Sequence, residues 1–157
     1  MYRKDRYKGD KEARMQIEID PASEVPLYQQ LRERIVEAIA GGGLHPGDRL
    51  EPVRRLAGQF GINIATVGRA YDLLRAEGLV RTNRAAGTVI ARGPGTTPAG
   101  WERSARADWN ARLGVVIAEA IAQGESDEVV LADVRDALER LAAQRAAHEN
   151  IDRKGSR

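Results

Sequence analysis

The chain has 157 residues, 42% of them hydrophobic and 31% charged, and no cysteine. This is the composition of a soluble globular protein, one domain or one with an appendage, and it excludes disulfides, thiolate metal sites and cysteine nucleophiles. The formal net charge of +2 conceals an asymmetry. Residues 26–92 hold 10 basic against 6 acidic side chains (+4), residues 93–157 hold 9 against 11 (−2), and the first 25 hold 6 of each. A basic surplus in the middle segment points to a polyanionic partner there.

Residues 1–15 are polar and aperiodic and read as a flexible tail, solubilising or DNA-touching. They lack the apolar stretch of a secretory signal. The most apolar window of the chain, "LGVVIAEAIA", contains Glu119 and is too short to span a bilayer, so a cytoplasmic protein with no membrane partner is expected. "MQIEID" alternates like a short strand and stops at Pro21.

A first helix follows in "SEVPLYQQLRERIVEAIAGGG". Pro26 suits its first turn, and Leu27, Leu31, Ile35 and Ile39 form an apolar stripe. Gly41 to Gly43 end it, because glycine accepts the left-handed conformation of a C-terminal cap. No Lys-Ser/Thr pair follows these glycines, so they are not a phosphate loop. "LHPGDRL" reads as a turn. "EPVRRLAGQF" is a short second helix with Val53, Leu56 and Phe60 inward, broken by Gly61.

The third helix lies in "GINIATVGRAYDLLRAEGLV", capped by Asn63 and closed by Gly78. Val67, Ala70, Tyr71 and Leu74 share its apolar side. The opposite side carries Ala65, Gly68, Arg69 and Asp72, with Thr66 at its flank, and is small and polar rather than dense in Glu and Lys. "LVRT" and "TVIA" around "NRAAG" read as a hairpin, and residues 93–100 as a linker. The remainder, 101–157, is helical. Its first stripe is Trp109, Leu113, Val116, Ile117, Ala120 and Ile121, and Gly124 ends it. Its second, after a Ser126 cap, is Val130, Val134, Leu138 and Leu141, with fraying expected from Gln144 onward.

Helix, helix, glycine turn, helix and hairpin over residues 16–92 describe a winged helix-turn-helix. The fold expected is mainly α with a small β-wing, plus a two-helix C-terminal appendage. A small outward face suits a helix that enters the DNA major groove. Ala65 and Gly68 permit close approach, Asn63 and Thr66 can bond phosphate or base edges, and Arg69 can pair with phosphate or guanine. The alternative for Arg69 is an ion pair with Asp72 at i+3. Tyr71 and Phe60 belong to the core.

Residues 26–91 resemble the GntR family of bacterial transcription regulators. The matching elements are "PLYQQLRERIVEAIAGGGLHPGDRL", "VRRLAGQFGINIATVGRAYDLLRAEGLVRT" and "AGTV". The resemblance implies DNA contact from three places: Arg54 at the start of the second helix; Asn63, Ala65, Thr66, Gly68 and Arg69 on the third; and Arg84, Ala85 and Gly87 in the wing. Three residues depart from the family pattern. Glu51 replaces a proline and adds negative charge near the expected contacts, Gly68 replaces a Ser or Arg, and Ala85 replaces the first wing glycine.

The 57 residues from Trp101 to Arg157 offer room for two helices and little more, an arrangement similar to the YtrA subfamily, whose short tail serves dimerisation. A homodimer through Leu113, Val116, Ile117, Ile121, Val130, Val134, Leu138 and Leu141 is therefore expected. The other disposition packs both stripes back onto the chain's own DNA-binding domain. Neither of the two histidines has a nucleophile partner, and no metal or nucleotide motif occurs, so no enzyme, cofactor or metal is expected. The leading reading is a dimeric repressor on palindromic double-stranded DNA, its effector unassigned. Two others remain open: a protein-interaction winged helix and a non-specific architectural DNA binder.

Overall fold

The computed structural model describes residues 17–96 and 103–155, so the N-terminal tail, the second half of the linker with residues 101–102, and residues 156–157 lie outside the described residues. In chain order the elements are α1 (Leu27–Ala40), α2 (Val53–Phe60), α3 (Ile64–Ala76), β1 (Val80–Asn83), β2 (Gly87–Ile90), α4 (Arg103–Ala122) and α5 (Asp127–Gly155). The fold is mainly α with a two-stranded antiparallel wing, a winged helix followed by two further helices.

One hydrophobic core holds the winged helix together. Leu31, Ile35 and Ile39 of α1 meet Leu56 and Ala57 of α2 and Val67, Ala70, Tyr71 and Leu74 of α3, closed by Val80 and Ile90 of the wing. Each large aliphatic side chain so buried contributes ~1.5–3 kcal/mol. Tyr71 is 1% exposed, and its hydroxyl donates to the Glu51 carbonyl at 2.8 Å, tying α3 to the approach to α2. Burial pushes this phenol far above its ordinary range, and the Glu51 carboxylate adds to the shift, so it stays a neutral donor. At the C-terminal end of α3, Arg32 of α1 forms a two-pronged pair with Glu77 at 2.9–3.3 Å.

Two expectations about strands change. The alternation of "MQIEID" holds as burial, with Ile17 and Ile19 in the core, but residues 17–20 form no strand. A side chain serves where a neighbouring strand would: Gln30 accepts from the Asp20 N–H at 2.8 Å and donates to the Asp20 carbonyl at 3.0 Å. "LHPGDRL" is a turn at its start, where Asp48 accepts the His45 N–H. Its end pairs with the wing instead, with Ile90 N–H to the Asp48 carbonyl and Leu50 N–H to the Thr88 carbonyl, both 2.9 Å, and a bridge from Arg49 to Val89. The wing keeps two strands, with an isolated bridge lying along β2.

The two C-terminal stripes divide. Leu113, Ile117 and Ala120 of α4 and Val130 and Leu141 of α5 are half-buried, and α4 packs on α5. Val116, Ile121, Val134 and Leu138 remain exposed. Among the described residues, none of α4 or α5 enters the core cluster. The stripes are too wide for one seam, because an apolar arc on each helix exceeds what a single neighbour covers. The end of α5 does not fray where its sequence turns polar. It continues to Gly155, and Arg145 and His148 bond carbonyls at the end of α1.

Tyr71→Phe should cost ~1–2 kcal/mol, since it strands the Glu51 carbonyl. The sign of the pH dependence follows from the raised folded-state value. Unfolded tyrosine ionises near pH ~10 while folded Tyr71 does not, so this contribution is present below that pH and falls as pH rises above it. Urea denaturation at several pH values should show a shallower alkaline loss for Tyr71→Phe.

Candidate nucleic-acid interface

α3 buries one face and leaves the other bare. Asn63 has extended backbone and accepts the Ala65 N–H on Oδ1 at 2.8 Å, the side-chain cap that starts the helix. Gly61, with φ 63°, makes the turn from α2. With Val67, Ala70, Tyr71 and Leu74 inward, Ala65 and Arg69 are exposed and Thr66 and Gly68 half-buried. A Cβ added at Gly68 meets nothing within 4 Å. Its glycine therefore has no packing cause, although glycine inside a helix costs about 1 kcal/mol relative to alanine. The face stays low at that point.

Arg69 does not pair with Asp72, which is bonded to Arg75 instead. The Arg69 guanidinium lies over the Tyr28 ring of α1, 4.1 Å from its centroid. The flat ring fixes the stem and leaves the planar group able to donate. Arg75 also donates to Thr82 of β1 at 3.1 Å, which fastens the end of α3 to the wing.

At the start of α2 two adjacent arginines differ. Arg55 pairs with Glu51 at 3.2 Å, and the Glu51 side chain is only 15% exposed. The negative charge that Glu51 brings is thus met from the first turn of α2. Arg54 is exposed and has no ion-pair partner among the described residues. In the wing, Arg84, Ala85 and Gly87 are exposed around the turn. The Ala85 N–H donates to Asn83 Oδ1 at 2.8 Å, and Gly87 takes φ 72°. Asn83 does locally what a further glycine would do by freedom, and the strands pair in register from Val80–Ile90 to Asn83–Gly87.

The exposed features thus sit at the start of α2, along α3 and at the wing tip. Among the described residues no cluster of His, Asp or Glu is suited to a metal, and no helix is long and apolar enough to cross a membrane. Tyr28 and Arg49 escaped the sequence reading. No periodicity relates Tyr28 to Arg69, 41 positions on, and Arg49 looked like part of a turn.

The profile of the bacterial regulatory proteins of the gntR family matches residues 27–90. The HTH-type transcriptional regulator Rv1152 of Mycobacterium tuberculosis is 41% identical over 81 residues, which cover 52% of this chain and 67% of that protein. The chain belongs to the GntR family. Another GntR relative, the HTH-type transcriptional repressor YtrA of Bacillus subtilis, is also 41% identical over 81 residues, covering 52% of this chain and 62% of its own length. The structure of YtrA from Sulfolobus acidocaldarius, a GntR-family transcription factor, superposes with a TM-score of 0.53 at 34% identity. It covers 68% of this chain and 97% of that one. A transcriptional antiterminator from Listeria monocytogenes EGD-e has a TM-score of 0.65 at 26% identity, covering 76% and 88%. This GntR chain is YtrA-like, a DNA-binding transcription regulator and not an enzyme.

Asn63→Ala should lower stability by ~0.5–2 kcal/mol through loss of the cap, whereas Asn63→Asp should keep it. Thermal melting of the two variants checks this.

Proposed function

We propose that the protein is a cytoplasmic homodimeric repressor that occupies a palindromic operator and blocks polymerase. The observation that carries the reading is the outward face of α3. It is kept low by Ala65 and by a Gly68 that no packing requires, beside an Arg69 steadied on Tyr28. Such a face suits close approach to base edges. Arg54 supplies a guanidinium for guanine, Thr66 a hydroxyl for phosphate, and Asn63 its amide donor beyond the cap. Arg84, with the Ala85 and Gly87 backbone, reaches a neighbouring groove from the wing.

Residues 16–92 serve as the reading head, 93–100 as linker and 101–157 as dimerisation region. Of eleven exposed large hydrophobics among the described residues, nine lie on α4 and α5. An apolar surface of that kind is stable in water when it is covered. A second copy covers it with the same residues, Val116, Ile121, Val134 and Leu138 at the new interface. Leu113, Ile117, Val130 and Leu141 support them from the α4–α5 seam. Two reading heads related by a twofold axis match a palindrome and roughly double the contact free energy.

Selection of random duplexes on the full chain, followed by sequencing, should enrich a palindrome. Enrichment of no sequence refutes specific reading and leaves the protein-interaction or architectural alternatives. Arg54→Ala should cost ~1–3 kcal/mol and relax preference at one base pair. Gly68→Ala should melt higher, by ~0.5–1 kcal/mol, yet bind operator more weakly. Leu138→Glu should shift the sedimentation of the free protein from dimer to monomer, and sedimentation of the wild type as a monomer at micromolar concentration refutes the dimer.

A further inference from the structure

The last turn of α1 carries no basic side chain of its own. The N–H groups of Gly41, Gly42, Gly43 and Leu44 serve the carbonyls of Glu37, Ala38 and Ile39, and those of Ala40 and Gly41 lie beyond this cap. Donors arrive from more than a hundred residues away. Arg145 Nη1 donates to the Ala40 carbonyl at 2.8 Å. His148 Nδ1 lies 3.0 Å from the Gly41 carbonyl and 2.9 Å from the Gln144 carbonyl. Both neighbours are acceptors, so Nδ1 carries a proton. The arginine charge also meets the negative end of the α1 dipole.

The seat for these side chains is the glycine run. A Cβ on Gly41 would stand 2.6 Å from Gln144 Oε1, and one on Gly42, which has φ +74°, would stand 3.3 Å from the Arg145 Cα. Gly41 and Gly42 thus end α1 and also let α5 lie directly on its end. The reading head is joined to the C-terminal helices twice, through the covalent linker to α4 and through this contact with α5.

We infer that Arg145 and His148 are positioning residues: they clamp α5 to the end of α1 and so fix the angle of the reading head, and with it the spacing of half-sites that the regulator accepts. They touch no DNA, and their effect runs through α1 to the orientation of α3. The spacing part rests on the palindromic dimer proposed above, whereas the clamp itself does not.

The absence of cysteine permits a direct test on the full chain. Spin labels at Ala76→Cys on α3 and Asp136→Cys on α5, in labelled protein diluted with unlabelled, report the distance between the two elements within one chain. The parent should give one narrow distribution, Arg145→Ala with His148→Ala one at least twice as broad, and Arg145→Lys, which keeps a cationic donor for Ala40, one close to the parent. A broad parent distribution, or a double variant as narrow as the parent, overturns the clamp.

The same proteins are then titrated with palindromes of stepped spacer length and with an isolated half-site. The double variant should lose at least tenfold of its spacing selectivity and keep its half-site affinity. Unchanged selectivity overturns the spacing role. Weaker half-site binding overturns it too, since the residues would then support the head itself. A parent indifferent to spacing refutes the palindromic reading, and the distance distributions still decide the clamp.

Discussion

The winged helix depends on a single requirement placed on α3: one side must be core while the side opposite is held bare. Val67, Ala70, Tyr71 and Leu74 meet the first demand, and Tyr71 adds direction to it. Its hydroxyl donates to the Glu51 carbonyl at the approach to α2, so a rotation of α3 that breaks this bond strands a buried donor. Apolar burial sets how tightly α3 is held, and this hydrogen bond sets which way it faces. The position of Ala65, Gly68 and Arg69 follows from that choice.

Local features of this arrangement were legible in the sequence because they obey local rules. The Asn63 cap, the Gly61 turn, the α1 stripe and the hairpin each depend on residues a few positions apart, and the structure places them within a residue or two of expectation. Arg69 shows where such rules stop. Its nearest acidic neighbour at i+3 was visible, but Asp72 had a better partner in Arg75, and the Tyr28 ring stood on another helix. Glu51 was legible as a charge but not as a charge already met by Arg55. The bridge from Arg49 to the wing was hidden because backbone hydrogen bonds need no alternation of side chains to announce them.

The C-terminal helices were harder to read for a different reason. A helical wheel reports how much apolar surface a helix carries, not how many neighbours share it. Half of each stripe is half-buried and the remainder is exposed. The polar sequence after Gln144 suggested an end with nothing to hold it. Yet Arg145 and His148 are polar because their targets are backbone carbonyls, and an apolar pattern could not have marked them.

Among the described residues the core runs from Ile17 to Ile90 and draws nothing from α4 or α5. During synthesis every side chain of that core leaves the ribosome before α4 begins, so the head can fold while the rest of the chain is still being made. The carbonyls of Ala40 and Gly41 are the exception. Their side-chain partners at residues 145 and 148 emerge only after the whole head has left the ribosome.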